Sequence, residues 1–330
     1  MDSTIAKRSY TRRAFVGELT FIASAATLLA GGMNVDAATR VPHIGFLVGS
    51  EFYTLTSAFL DELRAKGFVD GQNVSVEKGD TGEMARSLAR MDLDFIVAGA
   101  LTYAIEVRNA NPNMPMVIAT CPGMVSNGFA RSLEHPGGIY TGMDELPPGV
   151  TAKRLTLLKT AVPAAKRIAL LSTTPGVGGY ETQVEDAERA AKQLGVTVKP
   201  YRAATPDELD RALTGIVGDR MEGMLNFQGG LSLARRQAIV DFATQHRLPA
   251  IYQATMFAEV GGLMAWAPDL VEQYREAARL AALILQGAKP GDLAVKRPAK
   301  YYLTINAGAA KEIGLALPPA LLAEATRVIE

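Results

Sequence analysis

The sequence predicts an α/β protein made of two similar, doubly wound parallel-sheet lobes. Three observations carry this reading. From residue 41, short apolar runs alternate with amphipathic helical stretches. The same order restarts at Lys166. The runs are apolar nearly throughout, as strands buried on both faces of a parallel sheet must be.

In the first copy, 41–48 (VPHIGFLV) reads as a strand. Phe59, Leu60 and Leu63 mark a helix face that ends at Lys66-Gly67, a basic residue followed by a stop glycine. Strands at 73–77, 94–98 and 116–119 alternate with helices at 83–91 and 103–109. In the second copy, 167–171 (RIALL) is a strand and 180–194 a helix that stops at Gly195. Strands at 196–199, 223–227 and 249–252 follow, with a helix at 234–246. Another helix opens at Thr205-Pro206-Asp207-Glu208, which has capping-box spacing and Pro at the first helical position. IGFLVGS answers IALLSTT, and LDFIVAG answers MEGMLNFQG, a match of pattern more than of identity. A third segment carries 261–266 and a long helix with a second capping-box spacing at 269–272. Leu270, Tyr274, Ala277, Ala278, Ala281 and Leu285 form its apolar stripe, expected to be core packing.

Composition narrows the function. The 330 residues are 48% hydrophobic, enough to offset chain entropy, so disorder is excluded. Cys121 is the one cysteine, which removes an intrachain disulfide and a Cys-rich zinc site. Flanked by apolar residues and Pro122, it is expected to be a packed thiol. The 34 basic residues balance 34 acidic ones, so the charge footprint of a nucleic-acid binder is missing. The chain has no Gly-x-Ser-x-Gly elbow, no His-Glu-x-x-His and no Walker loop. His43, His135 and His246 have no metal or triad spacing. Gly176-Val177-Gly178-Gly179 follows a strand but reads as a turn, not a dinucleotide loop. No cofactor, no metal and no catalytic residue are expected.

Residues 1–37 read as a cleavable export signal. Thr11-Arg12-Arg13-Ala14-Phe15 resembles a twin-arginine core, an apolar run extends from Leu19 to Met33, and small residues allow cleavage after Ala37 or Ala38. An uncleaved N-terminal anchor is the alternative. No cysteine follows the apolar run, so a lipid anchor there is excluded. Removing this segment leaves 30 basic and 31 acidic residues. The expected location is periplasmic or extracytoplasmic.

Ligands of open α/β sheets sit beyond the carboxyl ends of the strands. Those ends are small, hydroxylated or amide-bearing here. The candidate ligand contacts are Ser50, Phe52, Thr102, Thr120, Thr173, Gln228, Gln253 and Trp266. Ser50, Thr102 and Gln228 offer hydrogen bonds, and Phe52 or Trp266 an apolar wall. Helix capping is the ordinary role of Ser and Thr at such positions.

Five stretches resemble a known family: 58–74 with its Lys66-Gly67-Phe68 turn, 132–142 (SLEHPGGIYTG), 261–264, 284–290, and 305–315 with Pro318 beyond. On these residues the chain resembles the ABC-transporter substrate-binding proteins of the tryptophan/tyrosine-type branch, with a type I periplasmic-binding fold. Ile139 stands where that family usually has Asn, Gly123-Met124 where Asp-Pro is common, and Trp266-Ala267 in place of Tyr-Gly.

The resemblance implies a hinge, an interlobe cleft and three crossovers. Lobe one would combine about 40–148 with about 256–290, and lobe two 149–255 with about 291–330. It implies capture of an amino acid or similar small organic solute and delivery to an ABC permease and ATPase encoded elsewhere. A monomer with no nucleic-acid partner and no stable membrane insertion after processing is expected. Two alternatives stay open: a ligand-presenting sensor for a membrane receptor, and an exported enzyme. A transcription regulator of similar fold is disfavoured, since the export signal occupies the headpiece position.

Overall fold

Runs of Ile, Val, Leu and Phe bounded by glycines or helix caps become two sheets in the computed structural model, which describes residues 40–49, 52–173, 179–227 and 229–330. The export-signal segment, Ser50 and Gln228 lie outside the described residues, as do the first three positions of the Gly176–Gly179 turn.

The chain begins with β1 (His43–Leu47), α1 (Tyr53–Ala65), β2 (Ser75–Gly79), α2 (Gly82–Leu88), β3 (Phe95–Ala98), α3 (Leu101–Ala110), β4 (Met116–Cys121) and β5 (Tyr140–Asp144). After a crossover come α4 (Val150–Ala161), β6 (Arg167–Ser172), α5 (Tyr180–Leu194), β7 (Thr197–Arg202), α6 (Pro206–Gly218) and β8 (Gly223–Asn226). Next are α7 (Gly230–Ala234), α8 (Arg236–Gln245), β9 (Ala250–Tyr252), α9 (Thr255–Glu259), β10 (Met264–Pro268) and α10 (Leu270–Leu285). The chain closes with β11 (Tyr301–Asn306), α11 (Ala307–Glu312), α12 (Pro319–Glu324) and β12 (Arg327–Ile329).

The first sheet has the order β2-β1-β3-β4-β5, all parallel. The second contains β7-β6-β8-β9-β10 in the same doubly wound order, so the repeat seen in the sequence is a repeat of topology. It extends through β11 and β12 at the far edge, and β11 pairs antiparallel to β10. The second sheet is therefore mixed, whereas the sequence suggested a purely parallel one. The reason is the path: α10 leaves the second sheet, packs on α1, and the chain re-enters from the other direction.

The lobe boundaries expected around 256–290 shift accordingly. β10 pairs with β9 and β11, and α9 carries Phe257 and Ala258 into the second lobe's core, so 255–268 stays with the second sheet. Only from about Leu270 does the chain pack on the first lobe. There Tyr274, Ala277, Ala278 and Ala281 of the expected stripe join Phe46 and Phe59 in one core. Phe46 stacks on Phe59 with centroids 4.4 Å apart and meets Tyr274 edge-on. Val295 and Lys296 also belong with the first sheet, through the Val295 core contact and the bridge to Met143, so the tail joins lobe two later than 291.

Helix signals in the sequence behave as chemistry requires, except that the carboxylate of each expected capping box takes another partner. Thr205 Oγ1 accepts from the Glu208 backbone N–H, but the Glu208 carboxylate reaches Ala204 N–H, one residue earlier than a reciprocal box. Asp269 accepts from Val271 and Glu272 N–H, while Glu272 pairs with Arg279 in place of closing a box.

Candidate functional site

The cleft opens where the carboxyl ends of both sheets face each other. A cavity of about 700 Å³, partly open to solvent, lies there. The first lobe supplies Ala100, Leu101, Thr102 and Ile105 from the start of α3, and Thr120 and Pro122 from the end of β4. The second supplies Gly229, Gly230 and Leu233 after β8, and Gln253 after β9. Glu145, Leu146, Arg154 and Pro268 complete it from the crossovers and α4.

Among the described residues the lobes approach each other closely at glycines beside this cavity. A Cβ added to Gly230 would lie 3.5 Å from Thr102 Cγ2, and one added to Gly179 would overlap Pro122 O. Glycine at both places lets the walls approach. Gly99 serves the same end inside the first lobe. A Cβ there would overlap Leu47 O and Tyr274 Oη, and Tyr274 donates to Gly99 O at 3.0 Å.

Of the eight expected contacts, Thr102, Thr120 and Gln253 line the cavity. Thr120 is buried and donates from Oγ1 to Gly99 O at 2.9 Å, which leaves the same oxygen able to accept. Gln253 donates from Nε2 to Gln183 Oε1 at 2.6 Å. Three others have different work. Thr173 Oγ1 accepts from Ser232 N–H at 3.2 Å and so holds the start of α7. Phe52 packs against the core beneath α1. Trp266 stacks on Tyr301, 4.6 Å between centroids, on the face of β10 turned to the second lobe's core. Its side chain is thus a hinge contact and not a cleft wall. Ser50 and Gln228 lie outside the described residues.

The ionisable groups of the site are the ones sequence reasoning missed. Arg154 is 3% exposed, yet lines the cavity. Its Nε donates to Trp266 O at 2.9 Å, and its guanidinium sits 5.8 Å from the Trp266 ring centre. Burial pulls it down to about 10, opposed by nearby Tyr301 and Glu145. Glu145 accepts from Gln273 Nε2 at 2.9 Å, and its backbone carbonyl accepts from Tyr301 Oη at 3.0 Å. Burial pushes its carboxyl up to about 7, with the Gln273 bond and Arg154 pulling the other way and Asp144 adding to the rise. These contacts tie β5, α10 and β11 together at one residue, so Glu145 is both cavity lining and hinge. Sequence offered one signal, the Asp144-Glu145 pair one residue before a Pro-Pro-Gly turn.

Cys121 is fully buried and its thiol is raised well above the ordinary range by burial, as a packed thiol should be. Among the described residues no group of His, Cys, Asp and Glu has metal-site geometry. None of the described helices is long and apolar enough to cross a membrane.

Two sheets of matching order, with a cavity at their facing carboxyl ends, define a two-lobed binding protein. Residues 44–329 match the family model described as ABC transporter substrate binding protein, and the chain belongs to that family. The family is one of non-enzymatic substrate-binding proteins that work outside the cytoplasm. A tyrosine-binding protein of Clostridioides difficile is 25% identical over 264 residues, covering 78% of this chain and 75% of its own length. A Streptococcus pneumonia structure described as a complex with L-Trp has a TM-score of 0.79 at 23% identity, covering 87% of this chain and 99% of that one. The ligand-free, open structure of a Clostridium difficile substrate-binding protein has a TM-score of 0.62, also at 23% identity, covering 88% of this chain and 99% of that one.

Proposed function

We propose that this substrate-binding protein captures an amino acid or a similar small organic solute between its lobes and passes it to a permease and ATPase encoded elsewhere. The observation that carries the reading is the cavity itself. It draws lining from both lobes and holds a basic and an acidic side chain, the buried Arg154 and the half-buried Glu145. Thr102, Thr120 and Gln253 supply neutral hydrogen bonds. Similarity to the tyrosine-binding protein supports an amino-acid-like solute. A ligand that touches both walls favours the closed arrangement, because only that arrangement completes its contacts.

Titration calorimetry with amino acids, small organic acids, nucleosides and sugars tests this. One-to-one binding of an amino-acid-like solute is expected. At a hundredfold excess over Kd the ligand should add about 2.7 kcal/mol of stability. Binding confined to sugars or nucleosides would sink the amino-acid reading.

Residues 1–37 act in this proposal as a twin-arginine-type export signal, cleaved after Ala37 or Ala38. N-terminal sequencing of the exported protein tests the site, and Arg12→Lys with Arg13→Lys should retain the precursor inside. The mature chain works as a monomer, which light scattering checks.

A further inference from the structure

Arg154 and Glu145, a basic and an acidic side chain, line one cavity, yet they do not pair with each other among the described residues. Arg154 spends only Nε on the protein, on Trp266 O, and its two terminal nitrogens have no hydrogen-bond partner among the described residues. A guanidinium presents five donors, and only the one on Nε has a protein acceptor among the described residues, which leaves four for a group in the cavity. Glu145 spends one carboxylate oxygen on Gln273. Arg154 comes from α4 of the second lobe, and Glu145 from the crossover that leaves β5 of the first. Between them the walls are Leu101, Ile105, Pro122, Leu146, Leu233 and Pro268, all aliphatic. The aromatic rings near this pair, Trp266 and Tyr301, are stacked on each other and are not part of the cavity lining. A ring in the cavity finds no stacking surface among the described residues.

We infer that Arg154 and Glu145 divide the two charges of a zwitterionic ligand. Arg154 takes its carboxylate and Glu145 its ammonium, with an aliphatic body against the leucine, isoleucine and proline walls. This rests on the solute-binding reading above and narrows it to aliphatic amino acids. A planar carboxylate suits the fork of the two free terminal nitrogens. Neither side chain needs the other when the ligand supplies a partner to each, so the two can stay unpaired in the free protein.

The test pairs ligand deletions with protein variants. Leucine is compared with 4-methylpentanoate, which lacks the ammonium, with 3-methylbutylamine, which lacks the carboxylate, and with tryptophan. Wild-type protein should bind leucine 10–100-fold more tightly than either truncated analogue, a span of about 1.4–2.7 kcal/mol. Arg154→Gln should lose most of its preference for leucine over the amine, and Glu145→Gln most of its preference over the acid. Tryptophan should bind at least tenfold more weakly than leucine. The wild-type comparisons need no mutant, so poor folding of Arg154→Gln leaves the test intact. If a solute binds but neither deletion matters, the charge division is overturned while the binding reading stands. Tighter binding of tryptophan overturns the aliphatic assignment. Silence across every solute overturns both readings.

Discussion

Glu145 sits where burial and binding act on the same proton. Its carboxyl, raised to about 7, is faced by Arg154, Asp144, Gln273 and the Tyr301 hydroxyl on its own carbonyl. In the ligand-free protein the neutral form is favoured, so this group's contribution to stability is complete below the ordinary value of 4.5 and lost as pH rises through about 7. A ligand ammonium needs the ionised form. Affinity for an amino acid should therefore climb about tenfold per pH unit below 7 and level off above it. Glu145→Gln should flatten that profile, which calorimetry at several pH values would read. Thr102→Val and Gln253→Leu each remove one neutral hydrogen-bonding group from the cavity and should weaken binding by about 0.5–1.5 kcal/mol. Unchanged affinity in both would show that the ligand sits elsewhere in the cleft. Thr102, Thr120 and Gln253 were legible as cavity lining because they lie at or just after strand ends, which border the space between the lobes. Arg154 was not. It lies on α4, whose buried face also includes Thr151, so the helix shows no clean apolar stripe and its arginine reads as a solvent residue.

Among the elements, the apolar strands and the capped helices were legible because their signals are local. Gly67 and Gly195 end α1 and α5 with positive φ, as stop glycines do. β5 was missed because Thr141-Gly142-Met143-Asp144 alternates small and polar residues, and its glycine is there for close approach. A Cβ on Gly142 would overlap Ile118 O on the neighbouring strand. Trp266 was misplaced for a related reason: its position at the end of the second sheet was visible, but which face of β10 it took depends on a register with the distant β11, Leu303 lying opposite. Two substitutions separate element packing from function. Gly99→Ala forces a methyl against Leu47 O and Tyr274 Oη and should cost about 1–3 kcal/mol of stability, read by urea melting. Gly230→Leu fills the gap to Thr102, should leave the melting temperature of the ligand-free protein nearly unchanged, and should weaken binding by holding the lobes apart.

At the scale of the whole molecule, the two lobes and their doubly wound order followed from the repeat in the sequence, whereas the crossovers did not. Hydrophobic periodicity reports burial but not which sheet a segment joins. Residues 255–268 and 270–285 are both apolar and adjacent, yet one belongs to the second lobe and the other packs on α1 of the first. That exchange makes the hinge, laced at Glu145 by Gln273 and Tyr301. A carrier built this way closes its lobes on its solute. Small-angle X-ray scattering of the mature protein, alone and saturated with the tightest ligand from calorimetry, tests it most directly. The radius of gyration should fall on saturation, and Gly230→Leu should suppress the fall. An unchanged radius of gyration in the wild-type protein at full occupancy would contradict closure and the carrier role built on it.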